Sequence, residues 1–272
     1  MLATLLDASR GAALPLPADL ETRYGGPLRL PSGATHVFAN FVSTIDGVVS
    51  YDAPGMAQAK QVSASYPGDR FVLALLRAAA DAVIVGAGTL RKEPGSVWSA
   101  ASVFPDAAAA FAQLRVALKR PPDPPTILVT TSGDIDLRLP AFHAGVPVVI
   151  ATTAAGAGRV GTKPDGVTAR VLAESGPIAA RALVDLAREV SGGTRILTEG
   201  GPSLHAQFLA ERVLDELFLT IAPRLAGRSK DLRRLALVEG VAFRPDEAPQ
   251  GELVSLKHAD GYLFTRYAFT DR

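Results

Sequence analysis

The residues best suited to chemistry lie in Ile196-Leu197-Thr198-Glu199-Gly200-Gly201-Pro202-Ser203-Leu204, where a short apolar run meets two glycines and a proline. Glycine lets the backbone come close to a ligand, and proline suits the first helical position because its missing N–H would be unpaired there. The helix-like run Ser203 to Arg212 would therefore start with free N–H groups and about half a positive charge, a site for phosphate. Glu199 falls at the carboxyl end of the expected strand, where open α/β sheets bind ligands. A tight strand-to-helix turn with a surface glutamate is the other reading of the same residues.

A second acidic candidate, Asp69, begins a helix in Pro67-Gly68-Asp69-Arg70-Phe71. An acid there is favoured by the helix dipole alone, by about 0.3–1 kcal/mol, so both a structural and a chemical role are open. His36, His143, His205 and His258 have no metal-ligand spacing and read as structural. The chain lacks cysteine, which excludes disulfides, thiolate metal sites, cysteine nucleophiles and the zinc-deaminase signature. A net charge of +1 gives no electrostatic case for nucleic acid.

These residues need a scaffold. The 272 residues, 48% hydrophobic and 20% charged, match a soluble globular protein with a substantial core. The apolar stretch of the first twenty residues is short and broken for a signal peptide, and no run suits a membrane span, so a cytoplasmic location is expected. Residues 1–36, rich in proline and glycine, read as an arm; residues 37–272 read as one domain.

Strands are expected at Val37–Ser43, Ala82–Val85, Thr126–Thr130, Val146–Ala151, Val167–Leu172 and Ile196–Thr198, with helices starting at Pro67, Asp106 and Pro177. The first helix carries Phe71, Leu75 and Ala78, with Val72, Leu76 and Ala79, at helical spacing. Four further strands, Glu216–Ile221, Leu235–Val238, Glu252–Leu256 and Tyr262–Phe269, follow with few helical signals. This order predicts an α/β fold: a mainly parallel sheet with helices on both faces, finished by antiparallel strands. Gly156-Ala157-Gly158-Arg159-Val160-Gly161 fits the dinucleotide fingerprint, but Thr162-Lys163-Pro164-Asp165-Gly166 leaves no room for the helix that such a motif must open. It reads as a surface loop.

Four segments occur in order: Phe41-Val42-Ser43-Thr44-Ile45-Asp46-Gly47; Leu76-Arg77-Ala78 with Ala80 to Thr89; Thr198 to Leu204; and Asp215-Glu216-Leu217 with Ile221-Ala222-Pro223. Together they make the chain resemble the C-terminal reductase domain of the bifunctional riboflavin-biosynthesis deaminase-reductase, related in fold to dihydrofolate reductase. Gly68-Asp69-Arg70-Phe71 and Gly261 to Tyr267 are similar to free-standing actinobacterial-type members. The resemblance implies a dihydrofolate-reductase-like fold, NADPH as cofactor, a homodimer, and reduction of 5-amino-6-(5-phosphoribosylamino)uracil. Reduction of a dihydropterin, or NADP binding without efficient turnover, are the alternatives.

Carried over residue by residue, the resemblance implies cofactor contacts at Ser43, Asp46, Gly86, Gly88, Thr89, Glu93, Ser132, Gly200, Gly201, Pro202, Ser203 and Leu204. Substrate contacts fall at Ser63, Asp69, Arg77 and Glu199, with Asp69 and Glu199 the catalytic candidates; a helix-surface arginine is the lesser, structural alternative for Arg77. Dihydrofolate reductases carry a pterin-binding carboxylate at the place of Asp69. Two departures stand out. Asn40 replaces a lysine, and the phosphate-binding arginine of the riboflavin reductases falls near Ala100, leaving Arg91 and Lys92 as nearby cations.

Overall fold

Alternation along the central strands sorts their side chains into two apolar layers. Phe38, Val83, Val85, Leu128, Ile150 and Leu197 enter one core; Val37, Ala39, Ile84, Ile127, Val149 and Ile196 enter the other. A sheet buried on both faces needs helices on both, as parallel strands usually have. The computed structural model describes residues 1–52 and 58–269.

Among the described residues the main sheet has ten strands: β1 (Ala3–Asp7), β2 (His36–Thr44), β3 (Ala82–Gly86), β4 (Thr126–Val129), β5 (Val148–Thr153), β6 (Val167–Ala173), β7 (Arg195–Thr198), β8 (Glu216–Ala222), β9 (Gly251–Ala259) and β10 (Tyr262–Phe269). Their spatial order is β1-β9-β10-β8-β2-β7-β3-β4-β5-β6. From β8 to β6 all neighbours are parallel; β10, β9 and β1 add antiparallel pairings. The expected architecture is present.

Helices α1 (Pro67–Ala79) and α2 (Ala108–Ala117) cover the first core, placing Phe71, Val72, Leu75, Phe111 and Leu114 in it. Helices α3 (Ala180–Ser191) and α4 (Pro202–Ala210) cover the second through Leu183, Val184 and Phe208. Pro67 and Pro202 each occupy the start of their helices, where a missing N–H does no harm.

Three expectations change. Residues read as an arm supply β1, which pairs antiparallel with β9 through Ala3–His258 and Asp7–Ser255. Leu235–Ala236 does not enter the main sheet; it pairs with Val48–Ser50 in a separate two-stranded sheet. The helix expected from Asp106 is a 3₁₀ turn, Pro105–Ala107, running into α2. The fingerprint-like segment holds only one helical turn, Ala154–Ala157, and the next element after Gly161 is the strand β6. Gly156 instead serves packing: a Cβ on Gly133, whose φ is +69°, would lie 1.9 Å from its carbonyl oxygen. Among the described residues, no helix is long and apolar enough to cross a membrane.

Candidate functional site

Parallel strands direct their carboxyl ends to one edge, and there β2, β3 and β7 meet the starts of α1 and α4. A pocket of about 360 Å³ opens between them. Its floor and rim gather Asp69, Arg77, Gly86, Gly88, Thr89, Glu93, Glu199, Gly200, Gly201, Pro202 and Ser203, all expected site residues separated widely in sequence.

Glu199 follows β7, with its backbone N–H donating to Ile84 O at 2.9 Å. Its carboxylate accepts from Arg77 twice, Nε to Oε1 at 2.7 Å and Nη2 to Oε2 at 2.6 Å. Arg77 Nη1 also donates to the carbonyls of Val97 and Ser99, at 3.0 and 3.3 Å. Arg77 is therefore neither a helix-surface arginine nor a free cation. It anchors Glu199 and the 97–99 segment from inside the protein, in the paired form that makes a buried charge tolerable.

Asp69 sits in the first turn of α1 and is buried, 7% exposed. Burial pushes its carboxyl up to about 6, against hydrogen bonds from the Thr220 and Ser63 hydroxyls. A carboxylate held there only by the helix dipole would gain by facing water. Asp69 instead lines the pocket, poised to gain or lose a proton near neutrality.

The start of α4 fits the phosphate site expected from sequence. Gly201 is its N-cap, and no side chain caps the helix. A Cβ on Gly201 would meet only Thr89 Oγ1, at 3.8 Å, and one on Gly86 would meet nothing within 4 Å. The space beside these glycines is open to a ligand. Gly200 differs: its Cβ would strike Leu204 at 2.6 Å, so Gly200 and Leu204 shape the turn from behind. Glu93, which accepts from Ser96 Oγ at 3.2 Å, borders the same open space.

Several expected contacts lie elsewhere. Ser43 and Ser63 are buried outside the pocket wall, Ser63 behind Asp69. The Asp46 carboxylate accepts from Thr44 Oγ1, Ala226 N and Gly227 N, and these bonds hold its carboxyl down to about 2. It clamps the 226–227 loop rather than facing the pocket. Ser132, past β4, accepts from Asp134 N at 3.2 Å and stays away from the pocket. Of the two nearby cations, Lys92 lines the pocket but pairs with Asp52.

Sequence reasoning missed the apolar walls: Leu73 on α1, Trp98, and Val49 with Leu235 from the small sheet. Asp46-Gly47 was the available signal for Val49, because Asp-Gly favours a tight hairpin. Nothing marked Trp98.

Residues 35–255 match the family model described as RibD C-terminal domain. No match was found among curated proteins. Among solved structures, the chain is similar to a pyrimidine reductase-like protein from Corynebacterium diphtheriae, at 22% identity and a TM-score of 0.67, covering 93% of this chain and 99% of that one. It is also similar to the diaminohydroxyphosphoribosylaminopyrimidine deaminase/5-amino-6-(5-phosphoribosylamino)uracil reductase of Thermotoga maritima, at 18% identity and a TM-score of 0.61. There it covers 87% of this chain but 57% of the other. The riboflavin biosynthesis reductase Rib7 of Saccharomyces cerevisiae gives 15% identity and a TM-score of 0.55, over 87% and 90% of the two chains. These likenesses show a shared fold, and the family match covers most of the sequence: the chain belongs to the RibD C-terminal domain family, reductases of the riboflavin pathway.

Proposed function

We propose that this protein is an NADPH-dependent reductase that transfers hydride to 5-amino-6-(5-phosphoribosylamino)uracil. The observation that carries the reading is the gathering of an open glycine cradle, the Arg77–Glu199 pair and the buried Asp69 around one pocket. NADPH, when bound, supplies the hydride. The chain does the rest. Gly201 to Ser203 hold the phosphates, and Phe41, Val49, Leu73 and Trp98 exclude water. Glu199, fixed by Arg77, accepts from N–H or O–H groups of the substrate, and Asp69 delivers the proton that accompanies the hydride. The same reading carries a homodimer and a cytoplasmic location.

One observation favours a second reading, reduction of a dihydropterin. Among the described residues the cations lining the pocket, Arg77 and Lys92, are already paired with Glu199 and Asp52, while a buried carboxyl faces the interior. An amino-substituted heterocycle without a phosphate suits that arrangement. Steady-state NADPH oxidation with each substrate decides between them. Gly201→Val tests the cradle beneath both readings: it should abolish NADPH binding in calorimetry while preserving the far-UV spectrum. Normal binding by this variant would remove the phosphate site from α4.

A further inference from the structure

Asn40 is a carboxamide placed in an apolar layer. In the register of β2 and β8 it lies opposite Phe218, and the next pair on the same face is Val42 with Thr220. Phe38, Val42, Val72 and Phe218 surround this level of the core. Asn40 Oδ1 is out of reach of solvent and has no hydrogen-bond partner among the described residues. A buried carbonyl oxygen left so is costly, and such groups ordinarily find protein or ordered water.

Asn40 also lines a second, small cavity of about 10 Å³, together with Tyr24, Val72, Phe218, Thr220, Ser255 and Lys257 among others. That is the room one water needs, and Asn40 and Thr220 supply the polar partners a water needs to stay in a largely apolar lining. Asn40 lines both this cavity and the main pocket, so it forms part of the wall between them. Thr220 lines the cavity and hydrogen-bonds Asp69 on the pocket side.

We propose that this cavity is a binding site for one fixed water that donates to Asn40 Oδ1 and to Thr220 Oγ1, making Asn40 a positioning residue for Asp69. Lys257 Nζ, which also lines the cavity, donates to Thr4 Oγ1 and Gly25 O and sits 4.4 Å over the Tyr24 ring. With its lone pair occupied by water, the Thr220 hydroxyl keeps its own hydrogen on the Asp69 carboxylate. The other groups facing Asp69 are committed elsewhere: Arg77 and Glu199 to each other, Lys92 to Asp52, Arg266 to Glu216. Ser63 and the nearby Tyr262 complete its surroundings. The functional meaning rests on the proton-donor reading of Asp69, but the water and the carboxyl are both read in ligand-free protein, so failure of either shows separately.

A high-resolution crystal structure should place one ordered water within hydrogen-bond distance of both Asn40 Oδ1 and Thr220 Oγ1. Isotope-edited infrared titration of the Asp69 carboxyl, with Asp69→Asn as the blank, supplies the second readout. Asn40→Leu, which fills the cavity, should raise the midpoint by about one pH unit. Thr220→Val should raise it as well, and the double variant should move no further than Thr220→Val alone. If Asn40→Leu does not fold, Asn40→Ala gives the same test. An empty cavity, an unmoved midpoint in a folded Asn40 variant, or additive shifts in the double variant would overturn the proposal.

Discussion

At the amino end of the sheet the buried carboxylates Glu216 and Asp81 are paired with cations; at the carboxyl end Glu199 is paired with Arg77, but Asp69 has hydroxyl partners instead. At the amino end, Glu216 accepts from His36 Nε2 at 3.1 Å and from Arg266 at 2.6 and 2.8 Å, within a closed network. Asp81 is bound by Arg195, by Arg120 and by two backbone N–H groups. Burial pushes both carboxyls up, but hydrogen bonds and guanidinium charges together hold them below their ordinary values. At the carboxyl end, burial wins at Asp69, which rises to about 6. The lesson is one of partners. A fully paired carboxylate ties strands together; a carboxylate beside hydroxyls and a pocket stays free to exchange a proton.

Replacing one acid from each end breaks or sharpens this contrast. Asp69→Asn should lower kcat/KM on the true substrate by about 10²–10⁴-fold, the range of a lost general acid, with NADPH affinity intact. Thermal stability at neutral pH should hold or rise, because a desolvated charge is removed. Glu216→Ala should do the reverse: about 3–5 kcal/mol less stable in denaturant melts, because Arg266 is left buried and unpaired, with normal turnover in the fraction that remains folded. If both variants lose the same property, the division between the two ends is wrong.

A smaller effect concerns acid stability. His205 on α4 is buried against Phe41, both ring nitrogens lack partners among the described residues, and burial lowers its pKa to about 4. The folded state therefore binds its proton less readily than the unfolded chain does. The stability it contributes is complete above about 6.5 and falls as pH drops towards 4, by about 3 kcal/mol in all. Asp69, raised from 3.8 to about 6, has the opposite sign: its contribution is present below 3.8 and lost as pH rises through 6. His205→Phe should remove the His205 slope, so stability measured by urea melts would rise less between pH 4 and 6.5 than in the parent protein. An unchanged profile would remove His205 from the account.

The smallest expected effect is nucleotide preference, NADPH over NADH by about tenfold, near 1.4 kcal/mol, in calorimetry. Equal affinities would refute it.

The sequence made the central strands and the glycine turn legible because their signals are local: apolar runs, Pro202 at a helix start, and glycines where a backbone must stay bare. The Arg77–Glu199 pair was not legible as a pair, since 122 positions separate residues that only the β3–β7 neighbourhood brings together. Asp46 shows the same limit from the other side. Its Asp-Gly turn was visible, but the partners that occupy its carboxylate, Ala226 and Gly227, lie some 180 positions on. β1 escaped notice because Ala3–Asp7 is exposed along its length and gains order only from pairing with β9.

The central claim meets its most direct test in steady-state loss of NADPH absorbance with 5-amino-6-(5-phosphoribosylamino)uracil, run beside a dihydropterin and repeated with Asp69→Asn. Turnover of the aminouracil that collapses in the variant is the predicted result. NADPH binding without turnover of either substrate, or rates that Asp69→Asn leaves untouched, would contradict it.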